Sequence, residues 1–202
     1  MNRANEHYPL SEIEQEKVIA EITEHTRKIL TALKIDFSSD HNTKETAERF
    51  AKMMVKDICR GRFSNKPDIT TFPNIHNVDQ CYVVGPITVR STCSHHLVPI
   101  IGNAWVGIIP GEKLIGLSKI SRLVDWIMGR PQIQEESTAQ IADIIEQEIN
   151  PLGVAVFVSA QHLCMTWRGI RDLGAFDNTS DLRGVFRTDP AARAEFFSMV
   201  NK

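Results

Sequence analysis

Ser11 followed three residues later by Glu14 is the pattern of a helix N-terminus, and behind it Val18, Ile19, Ile22, Ile29, Leu30 and Leu33 recur at three- and four-residue spacing. That period predicts an amphipathic helix opened by a capping box. A polar break, FSSDHNT, precedes a second run in which Ala47, Phe50, Ala51, Met54 and Ile58 repeat the spacing up to Gly61, a stop signal. The character changes at KPDITTFPN. CYVVGPITVRST and NAWVGIIP then bring the β-branched and aromatic residues of strands. Ile120, Leu123, Val124 and Ile127 mark a helix from about Ser118 to Met128, and a second is expected from Pro131, as a first-turn residue, to Ile149. Asn150-Pro151-Leu152-Gly153 breaks the chain, VAVFVSAQHLCMTW reads as one long or bent strand, and a weaker extended stretch ends at Gly184-Val185-Phe186.

The order is strand, strand, helix, helix, strand, strand behind a helical N-terminal part. Without regular βαβ alternation it predicts an antiparallel α+β architecture rather than a doubly wound sheet. The expected division is an N-terminal helical region, 1–65, and a second domain, 66–202. A chain of 202 residues with 42% hydrophobic residues can bury a real core. Its 23 Lys and Arg against 25 Asp and Glu give a formal charge of -2, so no global field points to nucleic acid or a membrane, and any anion site must be local. The polar start MNRANEHYPLSEIEQEK has no apolar leader and no run reaches the roughly 18 residues of a membrane span, so a cytoplasmic protein is expected.

Four cysteines are too few for a disulfide scaffold at this length. Cys59 lies on the apolar face of the second helix and Cys81 opens a strand; both read as core residues. The other two keep different company. Cys93-Ser94-His95-His96 sets a thiol and an imidazole at C-x-x-H spacing, and Cys164 follows His162 by two. Thiolate and imidazole suit zinc, and three protein ligands with the fourth position left to water is a catalytic rather than a structural arrangement; Cys93, His96 and Cys164 make such a set. On a regular strand His162 and Cys164 share a face, which would put a proton-transfer group beside the metal. The same residues also suit a small core thiol and ordinary surface histidines.

STCSHHLVPI, IGLSKISRLV, RPQIQEE, AQHLCMTWRGIRD and a closing RGVFR, in that order and separation, resemble the GTP cyclohydrolase I family, strongly over about residues 66 to 200 and loosely over the N-terminal helices. The resemblance implies a T-fold, an antiparallel sheet backed by two helices. It also implies a toroidal homodecamer with active sites where subunits meet, one zinc per subunit on Cys93, His96 and Cys164, and GTP as substrate. Catalytic roles fall on His95 and His162, with Ser118 in support. Guanine recognition falls on Gln134 and Glu135, and triphosphate contacts on Ser118, Lys119, Arg122 and Arg168. The chemistry agrees. A Glu135 carboxylate can accept from the N1–H and 2-amino edge of guanine, and Lys119 and Arg122, three apart on a helix, are neighbours near free helix N–H groups.

The reaction so implied opens the guanine imidazole ring at C8, releases formate and rearranges the ribose to dihydroneopterin triphosphate. Zinc would activate the attacking water, and His162 would protonate N7. Three departures from the family pattern stand out. Ser94 occupies a position where many members have Glu, Ala175 replaces a usual serine, and Thr46-Ala47 replaces Thr-Pro ahead of Arg49. Ser94 and Ala175 motivate one alternative, a relative that stops at a ring-opened intermediate or takes another purine nucleotide; a second, from a non-enzyme class, is a zinc-stabilised oligomeric binding module without turnover.

Overall fold

The computed structural model describes residues 3–200. Helix α1 (Glu12–Ala32) starts where Ser11 and Glu14 cap each other reciprocally. It packs on α2 (Thr46–Lys52), which continues into a π-helical turn, Met53–Ile58, and a short α3 (Arg60–Phe63). Their contact is a small core of Ile19, Ala51 and Val55. Ile29 and, at the C-cap, Leu33 stay exposed at 54% and 64%, so part of the apolar stripe is uncovered among the described residues.

Two short strands, β1 (Thr71–Pro73) and β4 (Lys113–Ile115), pair with each other. The main sheet holds β2 (Tyr82–Cys93), β3 (Pro99–Ile109), β5 (Pro131–Gln132), β6 (Gly153–His162) and β7 (Asp177–Gly184) in the order β5-β2-β3-β6-β7. All its pairings are antiparallel except that of β5 with β2. Helices α4 (Leu117–Met128) and α5 (Gln134–Ile149) lie across one face. There Ile120, Leu123, Ile127, Ile141 and Ile145 bury against Val89, Val106, Ile108, Val156 and Val158. This is the α+β architecture expected from the order of elements, and the T-fold that the family resemblance implied. The opposite face is not bare. A C-terminal helix, α8 (Pro190–Val200), sets Phe196 and Val200 against Ile109 and Ala155. Phe196 comes so close to β3 that a Cβ at Gly107 would lie 2.5 Å from its ring, which makes a side chain there impossible without movement.

Three local expectations are corrected. Pro131 does not open a helix: Pro131–Gln132 pairs with Thr92 and Cys93, and α5 begins only at Gln134. At a strand start proline gives up no ladder hydrogen bond, so the residue fits either role and the neighbouring strand decides. The strand through AQHLCMTW stops at His162, and Leu163–Thr166 forms a helical turn, α6. Its ladder has run out of partners: His162 faces Ile100, the next residue across is Pro99, which has no N–H, and β7 begins opposite Ala160. Finally, β7 ends at Gly184, whose φ of 56° turns the chain into a helical turn, α7 (Val185–Thr188). Among the described residues no helix is long and apolar enough to cross a membrane.

Candidate metal and nucleotide site

The site forms where β2, β3 and β6 end together. Cys93 closes β2, and a tight turn returns the chain into β3: Cys93 N–H donates to the Val98 carbonyl at 2.9 Å and Leu97 N–H to the Cys93 carbonyl at 2.9 Å. Leu97 takes a left-handed φ of 53°, a strained conformation for a branched side chain. The turn folds His96 back over its own strand, with Nδ1 at 4.0 Å from Cys93 Sγ. Cys164 arrives from α6 and packs with Cys93, Ile100 and Ala160. The ligand atoms of Cys93, His96 and Cys164 all lie within 4.8 Å of one another. Two thiols and an imidazole at that separation fit zinc after a small contraction, since Zn–S and Zn–N bonds run about 2.3 and 2.0 Å. Burial first, then the neighbouring Cys93 thiol, push the Cys164 thiol above its ordinary pKa, while the Arg168 guanidinium pulls it back. A cation between the sulfurs would remove that conflict.

The premise that His162 and Cys164 share a strand face does not hold, because β6 ends between them. His162 reaches inward by another route. Its side chain is 15% exposed, and its Nε2 lies 2.9 Å from Gln134 Oε1 and 3.5 Å from Asp177 Oδ2. Gln134, the first residue of α5, is buried, whereas Glu135 beside it is exposed. Ser118 and Arg122 are exposed and Lys119 half-buried near the start of α4, a helix end without a side-chain cap. Arg168 is exposed beyond α6, and His95 is exposed with its ring 6.2 Å from that of His96. The chain thus brings Cys93, His96 and Cys164 together as a cluster that could hold a metal ion, and joins His162 to Gln134. Among the described residues no hydrogen bond or ion pair ties Ser118, Lys119, Arg122, Glu135 or Arg168 to that cluster. Two open cavities, of about 740 and 410 Å³, are lined by other residues, one by Arg27, Lys44, Arg49 and Lys52, the other by Asn74, Val78, Glu112 and Leu152.

Two features had no sequence signal. Asp177 reaches His162 only because β7 pairs with β6 in this register. The N-terminal segment straps onto the first turn of α5: Asn5 donates to the Glu136 carboxylate, its carbonyl accepts from Arg130 at 3.0 Å, and Arg62 bonds the carbonyls of Arg3, Ala4 and Glu6. Arg130 is buried over the Trp126 ring at 3.8 Å, and burial lowers its pKa to about 10.

Strand order and helix placement define a T-fold protein with a Cys-His-Cys cluster at the strand ends that could hold a metal ion. The family model for GTP cyclohydrolase I matches residues 22–201, and the chain belongs to that family. It is 42% identical over 189 residues to GTP cyclohydrolase 1 of Aliivibrio salmonicida, covering 93% of this chain and 87% of that protein. It is 44% identical over 158 residues to GTP cyclohydrolase 1 of Thermoanaerobacter pseudethanolicus, covering 78% and 84%. A solved archaeosine synthase QueF-Like structure in the apo form superposes with a TM-score of 0.40 at 16% identity over 59% of this chain and 97% of its own, too distant to add to the assignment.

Proposed function

We propose that the protein hydrolyses GTP at C8 of the guanine, releases formate and yields 7,8-dihydroneopterin triphosphate. The observation that carries this reading is the convergence of Cys93, His96 and Cys164 within 4.8 Å at the sheet end that also holds His162. Zinc bound by those three residues would supply the Lewis acidity that activates water near neutral pH. The chain's own groups do the rest. Glu135 accepts from the N1–H and 2-amino group of guanine, a pair that adenine does not offer. Lys119, Arg122 and Arg168 neutralise the triphosphate, with Ser118 as a donor to it or to the sugar. His162 delivers a proton to N7 as the C8–N7 bond opens, and His95 moves protons during the ribose rearrangement.

The site is open on one chain, which supports completion by neighbouring copies in a ring, as a homodecamer. Trp167, Ile170, Leu173 and Phe176, just past Cys164, are 72%, 75%, 76% and 55% exposed. The short β5 and the eight-residue β7 are sheet edges with one side unpaired among the described residues. Exposed apolar side chains beside a sheet edge are the kind of surface that a second copy covers.

The test is direct: zinc-loaded protein is incubated with GTP, and formate and the oxidised, fluorescent pterin are counted per GTP consumed. One of each supports the proposal. Formate without pterin would indicate a relative that stops after ring opening, and neither product would leave a binding module.

A further inference from the structure

Arg130 is 4% exposed, yet no carboxylate among the described residues pairs with it. Its Nε donates to the Gly61 carbonyl at 3.2 Å and its Nη1 to the Asn5 carbonyl at 3.0 Å, while Nη2 has no partner. Arg62, the like charge that acts on it, donates to the carbonyls of Arg3, Ala4 and Glu6 at 2.7, 2.9 and 2.8 Å. Four of these five carbonyls belong to residues 3–6. A buried guanidinium stripped of acceptors is costly, so the two arginines hold the N-terminal strap in place and depend on it in turn. The His7 ring, 5.2 Å from that of Trp126, and Leu10 N–H, which donates to the Phe63 carbonyl at 3.0 Å, extend the attachment. The strap lies ahead of residue 22, where the family match begins.

The strap touches the site at two points. Arg130 leads directly into β5, whose Pro131 and Gln132 pair with Thr92 and Cys93, and the Gln132 carbonyl accepts from Ser94 N–H at 3.0 Å. Asn5, 8% exposed, donates its side-chain amide to the Glu136 carboxylate, which has no other partner among the described residues. Helix α5 begins without a side-chain cap, so this bond is the outer anchor of its first turn. Asn5, Ser94, Ile133 and Glu136 together line a small cavity of about 150 Å³ between strap, turn and helix start. Glu135 is the neighbour of the anchored residue and is itself exposed and unheld.

We propose that the N-terminal strap is a clamp that sets the start of α5, and that Asn5 is a positioning residue which acts through Glu136 to place the Glu135 carboxylate against the guanine edge. The proposal rests on the reading of Glu135 as the guanine acceptor. The clamp itself can be tested without turnover.

Zinc-loaded Asn5→Ala is compared with the unmodified protein in two measurements. Hydrogen–deuterium exchange over residues 132–140 should become faster in the variant, because the outer anchor of the first turn is gone. Unchanged exchange there overturns the clamp whether or not the protein consumes GTP. In formate-release kinetics KM for GTP should rise roughly five- to tenfold, the size of one lost hydrogen bond, with kcat and zinc content held. Inosine triphosphate lacks the 2-amino group and should lose less, so the preference for GTP narrows, a change that general loosening would not produce. Equal losses on both nucleotides, or a loss confined to kcat, remove Asn5 from this role. Asn5→Asp sets two carboxylates together and should be worse than Asn5→Ala, whereas Asn5→Asp combined with Glu136→Gln restores a donor and an acceptor in reverse and should recover KM. Failure of that pair to recover overturns the proposal even if the single variants fold poorly. Absence of formate from the unmodified protein would count against the proposed hydrolysis, and the exchange measurement would still decide the clamp.

Discussion

Cys93 and His96 stand three residues apart in sequence and face each other across one tight turn, Sγ to Nδ1 at 4.0 Å, before Cys164 closes the set. Cys93 is buried and His96 exposed, so the pair would offer a metal one inner and one outer ligand. Cys93→Ala and Cys164→Ala should each lose bound zinc from about one per subunit to near none, together with formate release. Metal analysis after dialysis checks this, and full metal content in either variant would refute the ligand set.

His162 hydrogen-bonds to Gln134 and is not among the three clustered residues that could hold a metal. His162→Ala should therefore keep its zinc and bind GTP nearly as well, while ring opening slows by roughly a hundredfold or more, the usual contribution of a positioned general acid. Single-turnover kinetics with parallel metal analysis separates the outcomes. Loss of zinc would make His162 a ligand, and a normal rate would move the proton donor elsewhere, with His95 the first candidate.

Glu135 is exposed at the start of α5, free to meet a base edge. In Glu135→Gln an amide nitrogen can face the guanine N–H groups in place of an acceptor. GTP should lose about 2 to 4 kcal/mol in kcat/KM, the size of a lost charged hydrogen bond plus an unmet donor. Unchanged kinetics with GTP would take Glu135 out of the purine pocket.

Arg183 ties the sheet edge to a helix: from β7 it contacts Asp181 on its own strand and Asp143 and Glu146 on α5, each at 2.7 Å. Those carboxylates, Asp181 foremost, hold the guanidinium pKa above its ordinary value. Arg183→Met would leave three acidic groups facing one another. It should cost about 2 kcal/mol, below the figure for a fully buried pair because Asp143 and Glu146 are 52% and 43% exposed. A drop of several degrees in Tm is the expected signature, and an unchanged Tm would show that the network is screened by water.

The exposed apolar side chains of Trp167, Ile170, Leu173 and Phe176 should be buried between copies. Light scattering at micromolar concentration should report a ring-sized assembly near ten subunits, and Leu173→Asp, which puts a charge on a residue 76% exposed in the single chain, should break it into smaller species. A stable, active monomer would refute the ring.

Determinants that act within a few residues were legible from the sequence alone. The Ser11–Glu14 capping box, the buried stripe of α4 and the C-x-x-H spacing of Cys93 and His96 each depend on one turn of chain, and the structure shows all three. The order of strands and helices was legible too, because burying one face of a sheet imposes its period on the sequence. What lay beyond reach depends on which strand lies next to which. Pro131 became a strand because Thr92 and Cys93 were there to pair with it, and β6 ended at His162 because Pro99 offered no further donor. Cys164 meets Cys93 and His96 from a helical turn and not from a shared strand face. Asp177 stands against His162 only through the register of β7 on β6, and Asn5 reaches Glu136 across 131 residues of chain. Local propensity records what a segment prefers by itself; a hydrogen bond between distant segments is decided when the whole chain closes its backbone donors and acceptors, and no short window of sequence carries that information.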